Sequence, residues 1–127
     1  MIVADASVII AFLDSTDSHH QRARELVLQA SDGILMHDVT LAEVLVAPAR
    51  LGRAQEVFTG LESLGVAAFD GVPGEALLLA ELRAGTTLRM PDCCVLLTAI
   101  VTSAPLATFD KQLSASAVDR GLNVLGV

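Results

Sequence analysis

The chain has 127 residues, enough for one ordinary domain with a sizeable apolar core, and its composition gives no sign of a second domain. Apolar residues make up 53% of the chain and charged residues 18%, which excludes a disordered chain and a charged helical rod. The net charge of −7 argues against a protein that holds nucleic acid through a broad basic surface.

Aromatic residues are scarce, with four Phe, no Tyr and no Trp. The core must therefore be built from Leu, Val, Ile and Ala, which suits a parallel sheet covered by helices. No apolar stretch reaches the roughly 20 residues of a membrane-spanning helix. The N-terminal run up to Asp5 has no basic region before it, so we expect no export signal. The adjacent Cys93 and Cys94 lie in a predicted helix and indicate reduced thiols, so we expect a cytoplasmic protein.

Hydrophobic periodicity and turn residues predict strands that alternate with helices. The first half is predicted to contain strand 2–4, a helix to Leu13, a helix capped by Asp17 or Ser18 that runs to about Ala30, strand 34–36, and a helix from Thr40 towards Pro48. The second half is predicted to contain helix 53–64, strand 66–69, helix 74–83, a helix opened by Pro91 that runs to about Thr102, strand 106–108, a helix after Asp110, and strand 123–127. This alternation predicts an α/β fold, a single domain over residues 1–127 with a parallel five-stranded sheet between helices.

Four acidic residues fall where predicted strands end or predicted helices begin. Asp5 ends the first strand, Asp110 follows the fourth, Asp92 opens a helix, and Glu43 lies in the first predicted turn of another. Ligands of open α/β sheets bind outside the carboxyl ends of the strands, so we expect at least Asp5 and Asp110 to face one crevice.

Each acid also has a structural interpretation. Thr40-Leu-Ala-Glu43 matches a capping box, Asp92 after Pro91 can be a helix-opening acid, and Asp110 can be an N-cap. Asp5 is harder to explain in this way, because a charge at the end of an apolar central strand is costly to bury without a partner.

Gathering all four carboxylates in one crevice requires a cation, since they otherwise repel one another. Oxygen-only ligands favour Mg²⁺ or Mn²⁺. Such an ion activates water against a phosphodiester, so the spacing points to a hydrolase in which Asp5, Glu43, Asp92 and Asp110 are both catalytic and metal-binding.

The same residues resemble a known family. The matching features are Asp5-Ala-Ser-Val8, a Glu early in the third helix, Met90-Pro-Asp92 before an apolar helix, and Ala107-Thr-Phe-Asp110. Together they resemble the PIN domain, and more narrowly the toxin ribonucleases of VapBC toxin–antitoxin pairs.

The resemblance implies an α/β/α sandwich with a central parallel five-stranded sheet and a site for Mg²⁺ or Mn²⁺ at the four acids. It implies supporting roles for Ser7 and Thr108, an RNA substrate, a homodimer, and a cognate antitoxin with a basic C-terminal segment. A basic antitoxin also fits the net charge of −7.

Two basic residues lie beside the motifs. Arg89 and Lys111 can contact a substrate phosphate, although a solvated side chain explains each of them equally simply or better. His19 and His20 are interpreted as solvated residues at a helix start, and no role is assigned to His37.

Three other functions compete with an RNA hydrolase. A phosphoacceptor receiver domain has similar length and acids at strand ends, but here the third strand is followed by Asp70 in a Gly-Pro turn. A PIN-like module that binds without turnover stays open, because function lies in the site and not in the fold. A DNA nuclease is disfavoured, because the chain has no long basic insertion to hold a duplex.

Overall fold

The computed structural model describes the whole chain, Met1–Val127, as five strands and seven helices. The strands are β1 (Ile2–Ala4), β2 (Ile34–His37), β3 (Val66–Phe69), β4 (Leu106–Ala107) and β5 (Val124–Leu125). The helices are α1 (Ala6–Leu13), α2 (His20–Gln29), α3 (Asp38–Arg50), α4 (Ala54–Ser63), α5 (Glu75–Ala84), α6 (Met90–Thr102) and α7 (Lys111–Asp119). None of these helices combines the length and apolar composition needed to cross a membrane.

The strands form one parallel sheet in the order β3-β2-β1-β4-β5. The central strand β1 is registered with both neighbours, Val3 pairing with Leu35 on one side and with Leu106 on the other. A receiver domain has the order 2-1-3-4-5, in which the third strand is central. Here β3 lies at the edge of the sheet, so the sheet order excludes the receiver alternative.

Side chains alternate across the sheet and divide the core into two layers. On one face Ala4, Ile34 and Met36 pack with helices α1 to α4. On the other face Val3 and Leu106 pack with α6 and α7. The predicted α/β fold, a three-layer sandwich with a parallel five-stranded sheet, is confirmed.

Two predicted helix starts are wrong. Helix α2 begins at His20, because Asp17 caps the preceding turn by accepting a hydrogen bond from the His19 amide at 2.8 Å. Helix α3 begins at Asp38 and not at Thr40, because the ring of His37 caps it: the Val39 amide donates to His37 Nδ1 at 3.0 Å.

The other side of the His37 ring joins α3 to α5. His37 is buried, and its Nε2 lies 2.7 Å from Glu75 Oε1 at the start of α5. Because Nδ1 accepts a hydrogen bond from the Val39 amide, the ring proton is on Nε2, which donates a hydrogen bond to Glu75. This contact crosses 38 positions of sequence, and no local pattern indicates it.

Candidate active site

The four acids lie at the edge of the sheet where the strands end. Asp5 stands between β1 and α1, and Asp110 stands between β4 and α7. Asp92 is the third residue of α6, and Glu43 lies in the second turn of α3. Since β1 and β4 are paired parallel neighbours, Asp5 and Asp110 leave the sheet side by side.

Asp5 is buried, with 7% of its surface exposed, and two hydroxyl groups support it. Ser7 Oγ and Thr108 Oγ1 each donate a hydrogen bond to Asp5 Oδ2 at 2.8 Å. Hydrogen bonds to the charged form compensate part of the cost of burying a carboxylate. Both hydroxyls reach the same oxygen, so Oδ1 is left free to meet another group.

The same hydroxyls connect Asp5 to the segment that carries Asp110. Thr108 Oγ1 accepts from the Asp110 amide at 3.0 Å, and Ser7 Oγ accepts from the Phe109 amide at 3.2 Å. Each hydroxyl therefore donates to the buried acid and accepts from the β4–α7 turn. The position of Asp110 relative to Asp5 is thus set by two side-chain hydroxyls in addition to the sheet.

Asp110 also has the structural role that its sequence allowed. Its Oδ1 accepts a hydrogen bond from the Leu113 amide at 2.9 Å and caps α7. The cap uses one oxygen only, and the other has no partner within the protein. Capping and ligand binding are therefore compatible at this residue.

Glu43 and Asp92 lie close enough to the other acids to interact electrostatically with them. Burial raises the pKa of Glu43, and the charges of Asp5 and Asp92 raise it further. Burial likewise raises the pKa of Asp92, with additional repulsion from Asp5 and Asp110. The guanidinium of Arg89 opposes both shifts. The charges of the neighbouring acids thus add to burial in disfavouring the ionised forms of Glu43 and Asp92.

The capping-box interpretation of Glu43 is wrong. The box requires Thr40 at the N-cap, but α3 begins earlier and Thr40 lies inside it. Thr40 is fully buried, and its Oγ1 has no hydrogen-bond partner. Glu43 therefore does not accept a hydrogen bond from an amide at the helix start. The unpaired hydroxyl of Thr40 lies one turn before Glu43 on the same helix face.

Arg89 and Lys111 differ in their relation to the acids. Arg89 is the N-cap of α6, and its charge lowers the pKa of both Glu43 and Asp92 without an ion pair to either. Lys111 is exposed at the start of α7 and forms no ion pair. Only Arg89 is placed to act on the acidic crevice directly.

Sequence reasoning missed several residues near the crevice. His37 and Glu75 join α3 to α5, Thr40 is buried without a partner, and His19 stacks on Phe109. His20 is half-buried, and its Nδ1 lies 2.8 Å from the Ala11 carbonyl oxygen, so it is not a solvated residue. The one available signal was the position of His37 at a strand end.

A family model for the PIN domain matches residues 2–119. The chain belongs to the PIN domain family. No curated protein sequence matches it. The matched range contains all four acids and both supporting hydroxyls, so the family assignment covers the whole crevice.

Solved structures with the same fold as this PIN domain include a toxin from Mycobacterium tuberculosis, VapC20, described as cleaving the sarcin-ricin loop. It has a TM-score of 0.77 at 16% identity, over 91% of this chain and 95% of that one. A toxin–antitoxin complex from Klebsiella pneumoniae gives 0.75 at 20% identity, over 90% and 91%. FitAcB from Neisseria gonorrhoeae gives 0.72 at 21% identity, over 99% and 97%. The predicted resemblance to VapBC toxins is confirmed for the fold.

The acidic crevice of this PIN domain has the donor chemistry of a hard divalent cation. Its candidate ligand atoms are all carboxylate oxygens, and burial together with repulsion from the neighbouring acids raises the pKa values of Glu43 and Asp92. As the side chains are placed, no group of three or more acidic, His or Cys residues is close enough to hold an ion. The residues therefore fit Mg²⁺ or Mn²⁺ by chemistry, and convergence on an ion requires side-chain rotation.

The raised pKa of Glu43 predicts a pH-dependent gain in stability for Glu43→Gln in EDTA. The folded state binds a proton at Glu43 more readily than the unfolded state, so this group costs more stability as pH rises above its ordinary value of 4.5. The variant should therefore be more stable than the parent near neutral pH, by less than about 1 kcal/mol because solvent screens the group. The gain should vanish at pH values well below 4.5.

Urea unfolding at a series of pH values measures this difference. Glu62→Gln, an exposed change on α4, is the matched control and should show no such pH dependence. A gain from Glu43→Gln that stays constant from acidic to neutral pH would contradict repulsion as its cause.

Proposed function

We propose that this PIN domain is a metal-dependent endoribonuclease that hydrolyses RNA phosphodiester bonds and acts as the toxin of a type II toxin–antitoxin pair. The observation that supports it most is that Asp5, Glu43, Asp92 and Asp110 lie near enough to one another for their charges to add to the burial that raises the pKa values of Glu43 and Asp92. The similarity to toxin structures supports the biological role.

In this proposal Asp5, Glu43, Asp92 and Asp110 would hold one or two Mg²⁺ or Mn²⁺ ions, and a bound ion would supply activation of water and polarisation of a phosphoryl oxygen. Ser7 and Thr108 hold Asp5 in a fixed rotamer through its Oδ2. Arg89, next to Glu43 and Asp92, binds a non-bridging phosphate oxygen of the RNA. Lys111 is a weaker candidate for a second phosphate contact.

The test is incubation of the purified chain with total cellular RNA in Mg²⁺, in Mn²⁺ and in EDTA. Discrete fragments that require a divalent cation support the proposal. Intact RNA under all three conditions, with the protein folded, favours the alternative of a PIN-like module that binds without turnover.

An apolar groove supports an antitoxin partner. The groove has a volume of about 460 Å³ between α1, α3 and α4 and is lined mainly by apolar side chains, namely Ile10, Leu13, Val44, Ala47, Pro48, Leu51 and Val57. Val44 of this lining directly follows Glu43 in α3. We propose that an apolar segment of the antitoxin lies in this groove and that its basic C-terminal segment enters the crevice, where the net charge of −7 favours it.

A homodimer is proposed from the exposed face of α5. No residue of α5 is buried, although four of its ten residues are leucine. Leu79 and Leu82 pack partly against the core, whereas Leu77 is 66% exposed. An exposed apolar helix face of this kind is typical of an interface between subunits.

Leu77→Lys is therefore expected to convert the dimer to a monomer, because it places a charge in the apolar interface. Sedimentation velocity measures the mass, and circular dichroism checks that the helices remain. Leu28→Lys on α2 is the matched control, since Leu28 is 64% exposed. Equal masses for the two variants would place the interface elsewhere.

A further inference from the structure

One aromatic pair joins the segment before α2 to the turn that carries Asp110. The rings of His19 and Phe109 are stacked, with centroids 4.5 Å apart and planes inclined by 17°. The His19 side chain is 56% exposed, so the face of its ring turned away from Phe109 is open to solvent. In a chain with four Phe, no Tyr and no Trp, this pair presents an exposed ring backed by a partly buried one.

The lower ring of the stack is held rigidly. Phe109 packs against the apolar cluster beneath α1 to α4. Its other neighbour is Gly126, which has a φ of 102° and where an added Cβ would lie 3.3 Å from two ring carbons and 2.7 Å from the Thr108 carbonyl oxygen. A residue with a side chain at position 126 would therefore displace the Phe109 ring, whereas glycine leaves room for the ring to pack here. Phe109 is therefore a well-packed base for the stack.

The stack is also tied to the acids. Phe109 directly precedes Asp110, and its amide donates to Ser7 Oγ, which in turn donates to Asp5 Oδ2. Phe109 therefore belongs to the turn that carries Asp110, and that turn is hydrogen-bonded to the hydroxyl that supports Asp5. A nucleotide with its phosphate at the acids would have a neighbouring base within reach of this surface.

We propose that the open face of His19, backed by Phe109, is a stacking platform for an unpaired RNA base next to the scissile phosphate. This inference rests on the proposed ribonuclease function. Proteins recognise single-stranded RNA by stacking its bases on aromatic side chains, and His serves as well as Phe or Tyr. The chain has 8 basic residues against 15 acidic ones, so phosphate contacts alone supply little affinity, and stacking adds affinity without charge.

Binding of a fluorescently labelled, unstructured RNA oligonucleotide to the full chain tests the platform. The measurement is made by anisotropy in the Asp5→Asn background, so that the RNA stays intact. His19→Ala should weaken binding on the order of tenfold, and His19→Phe should restore it. Gln21→Ala, an exposed change at the second residue of α2, is the matched control and should bind as the parent does.

An abasic scan of the same oligonucleotide identifies the stacked base. At one position, removal of the base should weaken binding to the parent but cause no further loss with His19→Ala. The slope of log affinity against log salt should be the same for the parent and His19→Ala, because stacking releases no counterions. Equal affinities for the two proteins, no RNA binding at all, or a shallower salt slope for His19→Ala would each overturn the platform.

This outcome is separable from the proposed function. RNA that binds through His19 but is not cut by the chain with intact Asp5 would refute the nuclease and leave the platform standing. RNA that is cut equally well by the parent and by His19→Ala, with equal affinities, would leave the nuclease standing and remove the platform.

Discussion

Asp5→Asn is expected to lower the rate of RNA cleavage by at least about 10²-fold while leaving the fold intact. Asp5 is the most buried of the four acids, its Oδ1 has no hydrogen-bond partner, and its charge raises the pKa of both Glu43 and Asp92. Asparagine keeps the shape and can still accept hydrogen bonds from Ser7 and Thr108. It removes the negative charge that a divalent cation requires.

The same substitution should leave the metal-free protein as stable as the parent or slightly more stable, because it relieves repulsion with Glu43 and Asp92. Initial cleavage rates in Mg²⁺ and thermal unfolding in EDTA give the two measurements. Asp119→Asn, an exposed change at the end of α7, is the matched control and should retain the parent rate. A variant that unfolds readily yet cleaves at the parent rate per folded molecule would remove Asp5 from the catalytic machinery.

Thr108→Val should reduce both activity and stability. Thr108 is fully buried, and its hydroxyl donates to Asp5 Oδ2 and accepts from the Asp110 amide. Valine has the same shape but leaves a buried carboxylate short of a donor and an amide short of an acceptor. We expect the free energy of unfolding to fall by about 1–3 kcal/mol and the cleavage rate to fall on the order of 10- to 100-fold.

Thr108→Ser separates the hydroxyl from the packing of the methyl group. It keeps both hydrogen bonds and should retain most of the cleavage rate, at a cost of about 1 kcal/mol of stability for the lost methyl group. Urea unfolding and single-turnover cleavage measure the two effects. If the valine and serine variants cleave at the same rate, the hydroxyl has no part in positioning Asp5 and Asp110.

The elements of the fold and the edge at which the acids lie were predictable from local sequence. Apolar periodicity distinguishes strands such as β1 from helices such as α6, and alternation of the two requires a parallel sheet. Because parallel strands end at one edge, Asp5 and Asp110 had to lie near each other. The family motif around them also predicted Ser7 and Thr108, whose hydroxyls both reach Asp5.

The helix start was predicted wrongly where a residue far away in the sequence determines the cap. The capping box at Thr40 and Glu43 has the correct spacing, yet α3 starts two residues earlier because the ring of His37, oriented by Glu75, caps it. A spacing of three residues describes only neighbours along one helix. It carries no information about a side chain 38 positions away.

The sequence by itself determined the α/β class, the parallel sheet and the end of the sheet that carries the acids, because these follow from periodicities of two and 3.6 residues. Only the tertiary structure decided the strand order, the raised pKa of Glu43 and Asp92, and the stack of His19 on Phe109. These features depend on distances between residues far apart in the chain. Such distances are set by how helices pack on the sheet, which no local pattern encodes.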